Sequence, residues 1–279
     1  MPDDFLLRVH GNTSLPTLIY LPGLHGDWTL VSSFRAAMAG RARFVEFTYS
    51  TRTDLSLAGY AAAVEAALLR QGIHSGWLLG ESFGSQVAWA LLKRQAGGGQ
   101  SAIHWQGLIL AGGFVRHPWP WGARLLKLQA RVTPGWLNAT LFRIYQRYAL
   151  LRHREAKETL EAIGQFVTNR LAPGDAAAIE ARLELIATND PRPVARQATL
   201  PVHYLAGAVD PLVPWPWVCR WLRQHCPGYH GAVTFWNADH GVLATRPRRA
   251  ADQVLAWVQG GKPATSIPSA APTARLAKP

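Results

Sequence analysis

At 279 residues the chain is long enough for one large domain, or for a core carrying an insertion, at about 150 residues per domain. Hydrophobic residues make up 48% and charged residues only 16%, which excludes a disordered chain and supplies a sizeable core. The formal net charge of +12 is local: eight basic residues and no carboxylate lie between Arg116 and Arg154, and six against Asp252 alone between Arg246 and Lys278.

The basicity comes without any module that reads nucleic acid, so no nucleic-acid partner is expected. Arg also outnumbers Lys 24 to 5, a bias that composition alone can produce. Cys219 and Cys226 stand seven apart on a predicted helix, roughly 10 Å between Cα atoms and beyond disulfide reach. Free thiols suit a reducing compartment. The opening MPDDFLL is acidic and lacks a basic region ahead of an apolar stretch, and no run of about 18 apolar residues occurs. A cytoplasmic protein is expected.

In chain order, the apolar run Thr17–Leu21 reads as a strand ending at Pro22-Gly23, and Phe44–Tyr49 as a second. Leu57–Leu69 has helical spacing. Trp77–Leu79 reads as a third strand, Val87–Leu92 as part of a helix, and Gly107–Leu110 as a fourth strand closed by Gly112-Gly113. Near-continuous apolar strands separated by helices indicate a mostly parallel sheet covered on both faces. From about residue 116 to 198 the strand pattern stops. Leu141–Leu151, Ala156–Val167 and Ala176–Ile186 read as helices, broken at Pro134-Gly135 and Pro173-Gly174. Strands resume at Val202–Leu205 and Ala232–Trp236, with a Trp-rich helix near Trp217–His225 between them and an amphipathic helix at Ala250–Val258. The expected organisation is a core over 1–115 and 199–260, a helical cap or lid over 116–198, and a disordered Pro/Ala/Ser/Thr-rich tail over 261–279.

Gly80-Glu81-Ser82-Phe83-Gly84 is a G-x-S-x-G pentapeptide directly after a strand and ahead of a helix. Flanking glycines admit a strained serine backbone there, and the helix N-terminus favours developing negative charge. A serine nucleophile needs a base. His240 follows the last strand and Asp210 follows Val202–Leu205, so the order is Ser, acid, His, each at the carboxyl end of a strand. An oxyanion would need backbone N–H donors. Phe83 is one candidate. The other lies in Leu21-Pro22-Gly23-Leu24-His25-Gly26-Asp27, at Leu24, because Pro22-Gly23 occupies the strand-end turn. Asp239, beside His240, reads as a solvated loop residue, Glu81 as a buried carboxylate paired with an Arg, and His25 as the one other histidine near the cleft.

These residues make the chain resemble the α/β-hydrolases with a helical cap: bacterial carboxylesterases, lipases and pimeloyl-acyl-carrier-protein methyl ester esterases. The acid loop Leu205–Pro214 carries the resemblance most closely, while the group's usual His-Gly before the oxyanion residue is Pro22-Gly23 here and a His25-Gly26 follows. The resemblance therefore leaves two registers, Leu24 or Asp27; the Asp27 carboxylate would repel the oxyanion, which favours Leu24. The resemblance implies Ser82 as nucleophile, His240 as general base and acid, and Asp210 as its orienting acid, acting on carboxylic esters or thioesters with no metal or organic cofactor. Acyl transfer to an alcohol, or a fold kept only for binding, are the alternatives. Arg143 and Arg147, four apart on one expected helix face of the lid, would seat an acidic acyl carrier, as the resemblance implies, or an anionic membrane surface.

Overall fold

The computed structural model describes residues 5–96, 102–118, 156, 158–161 and 173–260. Its strands are β1 (Leu6–His10), β2 (Thr17–Leu21), β3 (Arg43–Thr48), β4 (Ser75–Glu81), β5 (His104–Ala111), β6 (Val202–Gly207) and β7 (Tyr229–Phe235). Its helices are α1 (Ser32–Met38), α2 (Leu57–Arg70), α3 (Gly84–Ala96), α4 (Pro173–Thr188), α5 (Arg192–Gln197), α6 (Trp215–His225), α7 (Val242–Thr245) and α8 (Pro247–Val258). The predicted helices Leu141–Leu151 and most of Ala156–Val167 lie outside the described residues. So do Arg143, Arg147 and the tail.

The strands form one sheet in the order β1-β3-β2-β4-β5-β6-β7. All pairs are parallel except β1 with β3, where Leu6 faces Thr48 and His10 faces Phe44. The antiparallel β1 is an addition to the strands read from sequence, as α1, α5 and α7 are to the helices. The other described elements recur with the same, shifted or longer ends.

Alternation along the strands divides the core in two. Ile19, Leu21, Val45, Phe47, Leu78, Leu108, Leu110 and Tyr204 face the side covered by α2, α3 and α6. Leu18, Tyr20, Phe44, Trp77, Leu79, Ile109 and Leu205 face the side covered by α1 and α8. Both faces are buried, so β2, β4, β5 and β6 read as apolar runs rather than as alternating ones. Helix α2 starts at Ser56, whose hydroxyl accepts from the Gly59 N–H at 3.1 Å and satisfies one of the orphan amides of the first turn.

From β2 the chain crosses to β3 on one side, then to β4 on the other. This reversal opens a crevice at the carboxyl ends of β2 and β4, where ligands gather in open α/β sheets. No described helix is long and apolar enough to cross a membrane, and Cys219 and Cys226 are both buried and free.

Under β6, the His203 ring lies 4.6 Å from the Trp257 ring at 9° between planes and 6.0 Å from that of Trp77. Its Nδ1 has no hydrogen-bond partner among the described residues. Burial first, then the neighbouring His230, push its pKa down from 6.5 to about 4. The fold therefore excludes a proton that the unfolded chain accepts, and stability is lost as pH falls from about 6.5 towards 4. His203→Phe should flatten this acid loss of melting temperature; a slope equal to that of the wild type would refute the assignment.

Candidate active site

Ser82 stands directly after β4 and is the one non-glycine residue with a positive φ, 49°, among the described residues. Such strain costs on the order of 1–3 kcal/mol and persists only where surroundings enforce it. Here the Ser82 N–H donates to the Ala111 carbonyl at 3.1 Å, and the Ser85 N–H closes a turn on the Ser82 carbonyl at 3.0 Å. The glycines allow close packing around the turn. A Cβ on Gly84 would sit 2.0 Å from the Leu21 carbonyl oxygen, and one on Gly80 2.9 Å from the Ser85 backbone. Gly84 thus lets the strand-to-helix turn press against the end of β2, and Gly80 lets the turn close on itself.

Asp210 follows β6. Its Oδ1 accepts from the Leu212 and Val213 N–H groups at 2.8 and 2.9 Å, leaving Oδ2 for His240. His240 follows β7, in a turn laid over β6 so closely that a Cβ on Gly207 would meet the Asp239 carbonyl at 2.0 Å. The three predicted residues meet in a line: His240 Nδ1 is 2.8 Å from Asp210 Oδ2, and His240 Nε2 is 2.9 Å from Ser82 Oγ. Because a carboxylate only accepts, Nδ1 carries the proton and Nε2 is the acceptor for the serine hydroxyl. The Asp210 side chain is 1% exposed and that of His240 20%, so the acid is sealed and the base opens to the crevice.

The electrostatics around His240 are dominated by acids. Burial by itself would lower its pKa, but the Asp210 hydrogen bond and charge outweigh it. Glu81 and Asp239 add to them, and the imidazole is held above its ordinary 6.5. Two expectations are corrected here. Glu81 is buried as expected, but its partner among the described residues is the Tyr20 hydroxyl, which donates to Oε2, with His25 Nε2 at 3.9 Å, and not an Arg. Tyr20 remains a phenol, because burial and then the Glu81 charge raise its pKa well above 10.0. Asp239 is not solvated: it is 9% exposed and accepts from the Gly241 N–H at 3.1 Å.

In the loop after β2, a Cβ on Gly23 would lie 3.4 Å from Ser82 Cβ and 3.6 Å from His25 Cδ2, which brings His25 to the site as expected. The Leu24 and Phe83 N–H groups have no hydrogen-bond partner among the described residues. Asp27 turns into its own loop, accepting from the Thr29 N–H at 2.9 Å and its hydroxyl at 3.1 Å. Phe83 is fully buried, its ring 5.5 Å from Tyr60 and 6.1 Å from Tyr49. Sequence reading missed Arg182, which reaches this loop from α4. Its one sequence signal is a lone cation inside the predicted helix Ala176–Ile186.

No protein-family model matches the chain, and no curated protein matches its sequence. Solved structures do match it in shape. An enol-lactonase from Burkholderia xenovorans superposes with a TM-score of 0.70 at 19% identity, covering 91% of this chain and 96% of that one. An esterase from Thermogutta terrifontis gives 0.67 at 18%, covering 92% and 93%. An α/β-hydrolase enzyme from a Medee basin deep-sea metagenome library gives 0.71 at 13%, covering 96% and 97%. With a seven-stranded, mostly parallel sheet, helices on both faces and matches that span nearly the full chain, this protein has the α/β-hydrolase fold.

Proposed function

We infer that the protein is a serine hydrolase of carboxylic esters or thioesters, with Ser82 as nucleophile, His240 as base and Asp210 as orienting acid. The observation that carries this reading is the hydrogen-bonded line from Ser82 Oγ through His240 to Asp210, built on a serine held at positive φ. That an esterase and an enol-lactonase share the fold supports it.

In the first half-reaction, Ser82 Oγ bonds to the substrate carbonyl carbon while its proton passes to His240 Nε2. Collapse breaks the bond to the leaving oxygen or sulfur, which takes that proton, and leaves an acyl-enzyme. Water then attacks, giving a proton to His240, and the proton returns to Ser82 as the acid departs. Negative charge on the carbonyl oxygen is met by the N–H groups of Leu24 and Phe83, whose lack of other partners among the described residues favours this role. The self-contained turn of Asp27 favours the Leu24 register over the other.

A fluorophosphonate probe tests the nucleophile: wild type should be labelled and Ser82→Ala should not, and equal labelling would sink the assignment. Asp210→Asn should fold and bind ester but lose about 10³–10⁴ in kcat, because an amide facing Nδ1 favours the wrong tautomer. Full activity in that variant would mean another carboxylate orients His240. Activity should also rise with pH through a midpoint above 6.5, since only neutral His240 takes the serine proton and its neighbours raise its pKa. Glu81→Gln, which keeps an acceptor for Tyr20 while removing the charge, should move that midpoint down. An unmoved profile would contradict the electrostatic account.

A further inference from the structure

Arg182, in the middle of α4, is 1% exposed, among the most completely buried large side chains of the protein. Burying a guanidinium is costly unless its donors are used. Nη1 donates to the Leu24 carbonyl at 2.8 Å, Nη2 to the Ser50 carbonyl at 2.8 Å, and Nε to the Tyr60 hydroxyl at 3.2 Å. Its Cζ lies 5.6 Å from the centre of the Tyr49 ring. The loop is shaped to receive it: Gly26, at φ 76°, leaves so little room that a Cβ there would lie 2.5 Å from Nη1.

These contacts bear on both residues whose amides the hydrolase reading assigns to the oxyanion, Leu24 and Phe83. Leu24 is gripped through its carbonyl, which lies in the peptide unit following the one that carries its N–H, so the Leu24 amide is held one Cα away. Phe83 is gripped one layer away, because its ring packs edge-on against Tyr49 and Tyr60, the two side chains that Arg182 touches. Helix α4 itself is tied down beyond its end, where Asn189 Nδ2 donates to Gln86 Oε1 at 2.9 Å, and Gln86 Nε2 donates to the Phe114 and Val115 carbonyls at 3.1 and 3.0 Å. One arginine from the stretch between β5 and β6 thus reaches through the aromatic cluster to the loop after β2.

We propose that Arg182 is a positioning residue: it fixes the Leu24 and Phe83 amides in the orientation that receives the carbonyl oxygen, without touching the reacting atoms. The kinetic side of this proposal rests on the hydrolase reading above; the structural side does not. A guanidinium fork suits the task because its donors hold two carbonyls and a phenol in fixed directions at once, which a lysine ammonium cannot. Donors preset for the oxyanion act on the transition state and hardly on substrate binding, so their loss falls on kcat.

The test compares wild type, Arg182→Met and Arg182→Lys by amide hydrogen exchange and by kinetics on a chromogenic ester. In Arg182→Met, exchange should quicken in peptides covering residues 20–28 and stay unchanged in α8. The kcat should fall on the order of 10- to 100-fold with KM within about threefold, as for small misplacements of catalytic groups. Affinity for a trifluoromethyl ketone, which forms a tetrahedral adduct on the serine, should fall by the same factor as kcat/KM, and added guanidinium should restore part of the loss. Arg182→Lys should lie between the two.

A folded Arg182→Met with wild-type exchange over 20–28 overturns the proposal. So does quickened exchange with unchanged kcat and ketone affinity. If the Met variant does not fold, the Lys variant decides by the same readouts, and failure of both to fold assigns Arg182 to the core alone and overturns it too. If wild type neither hydrolyses esters nor takes the fluorophosphonate, yet exchange quickens in the variant, the clamp on the loop stands and the hydrolase reading falls.

Discussion

The approach of Gly84 to the Leu21 carbonyl is the constraint on which the rest of the site depends. Without a side chain at that glycine, the turn after β4 presses onto the end of β2. The same approach brings the loop at Gly23 against Ser82 and sets the helix α3 beneath it. The sheet order supplies the reason that these two turns are neighbours at all, since β2 and β4 pair where the chain reverses its direction of winding. Ser82 accepts a strained backbone in consequence. Its N–H donates to the Ala111 carbonyl, which ties the turn to β5 on the opposite side.

A second layer of the design is electrostatic. His240 is surrounded by Asp210, Glu81 and Asp239, and these acids are placed differently. Asp210 touches the ring, and its free lone pairs are consumed by two backbone amides. Glu81 acts across space, from the residue before Ser82, with its Oε2 engaged by Tyr20. Such an arrangement favours the imidazolium that forms when serine gives up its proton, while leaving only one carboxylate in a position to orient the ring.

Much of this was legible in the chain. The serine, acid and histidine stand out because each sits at a strand end with turn residues around it, and the parallel strands betray themselves by unbroken apolar runs. What was hidden is what depends on partners distant in sequence. Strand β1, LLRVH, is a half-exposed edge whose Arg8 interrupts the apolar pattern, so its pairing with β3 leaves no local trace. Tyr20 reads only as a bulky strand residue, because its bond to Glu81 spans 61 positions. Asp239 reads as solvated from its loop sequence, and is buried because that loop folds down onto Gly207. Arg182 contacts residues 122 to 158 positions away, beyond any periodicity.

The pairing of β5 with β6 has a kinetic consequence. Ser82, its turn and the loop after β2 lie within the first 111 residues or so, whereas the acid and base stand beyond β6, which registers Val202 against Leu108. Ser82 and His240 are 158 positions apart, and closing so large a loop carries an entropy cost that local helices do not meet. A refolding chain therefore regains helical signal before it regains a serine that can lose its proton. Recovery of reactivity at that one hydroxyl reports the completion of the sheet rather than the collapse of the chain.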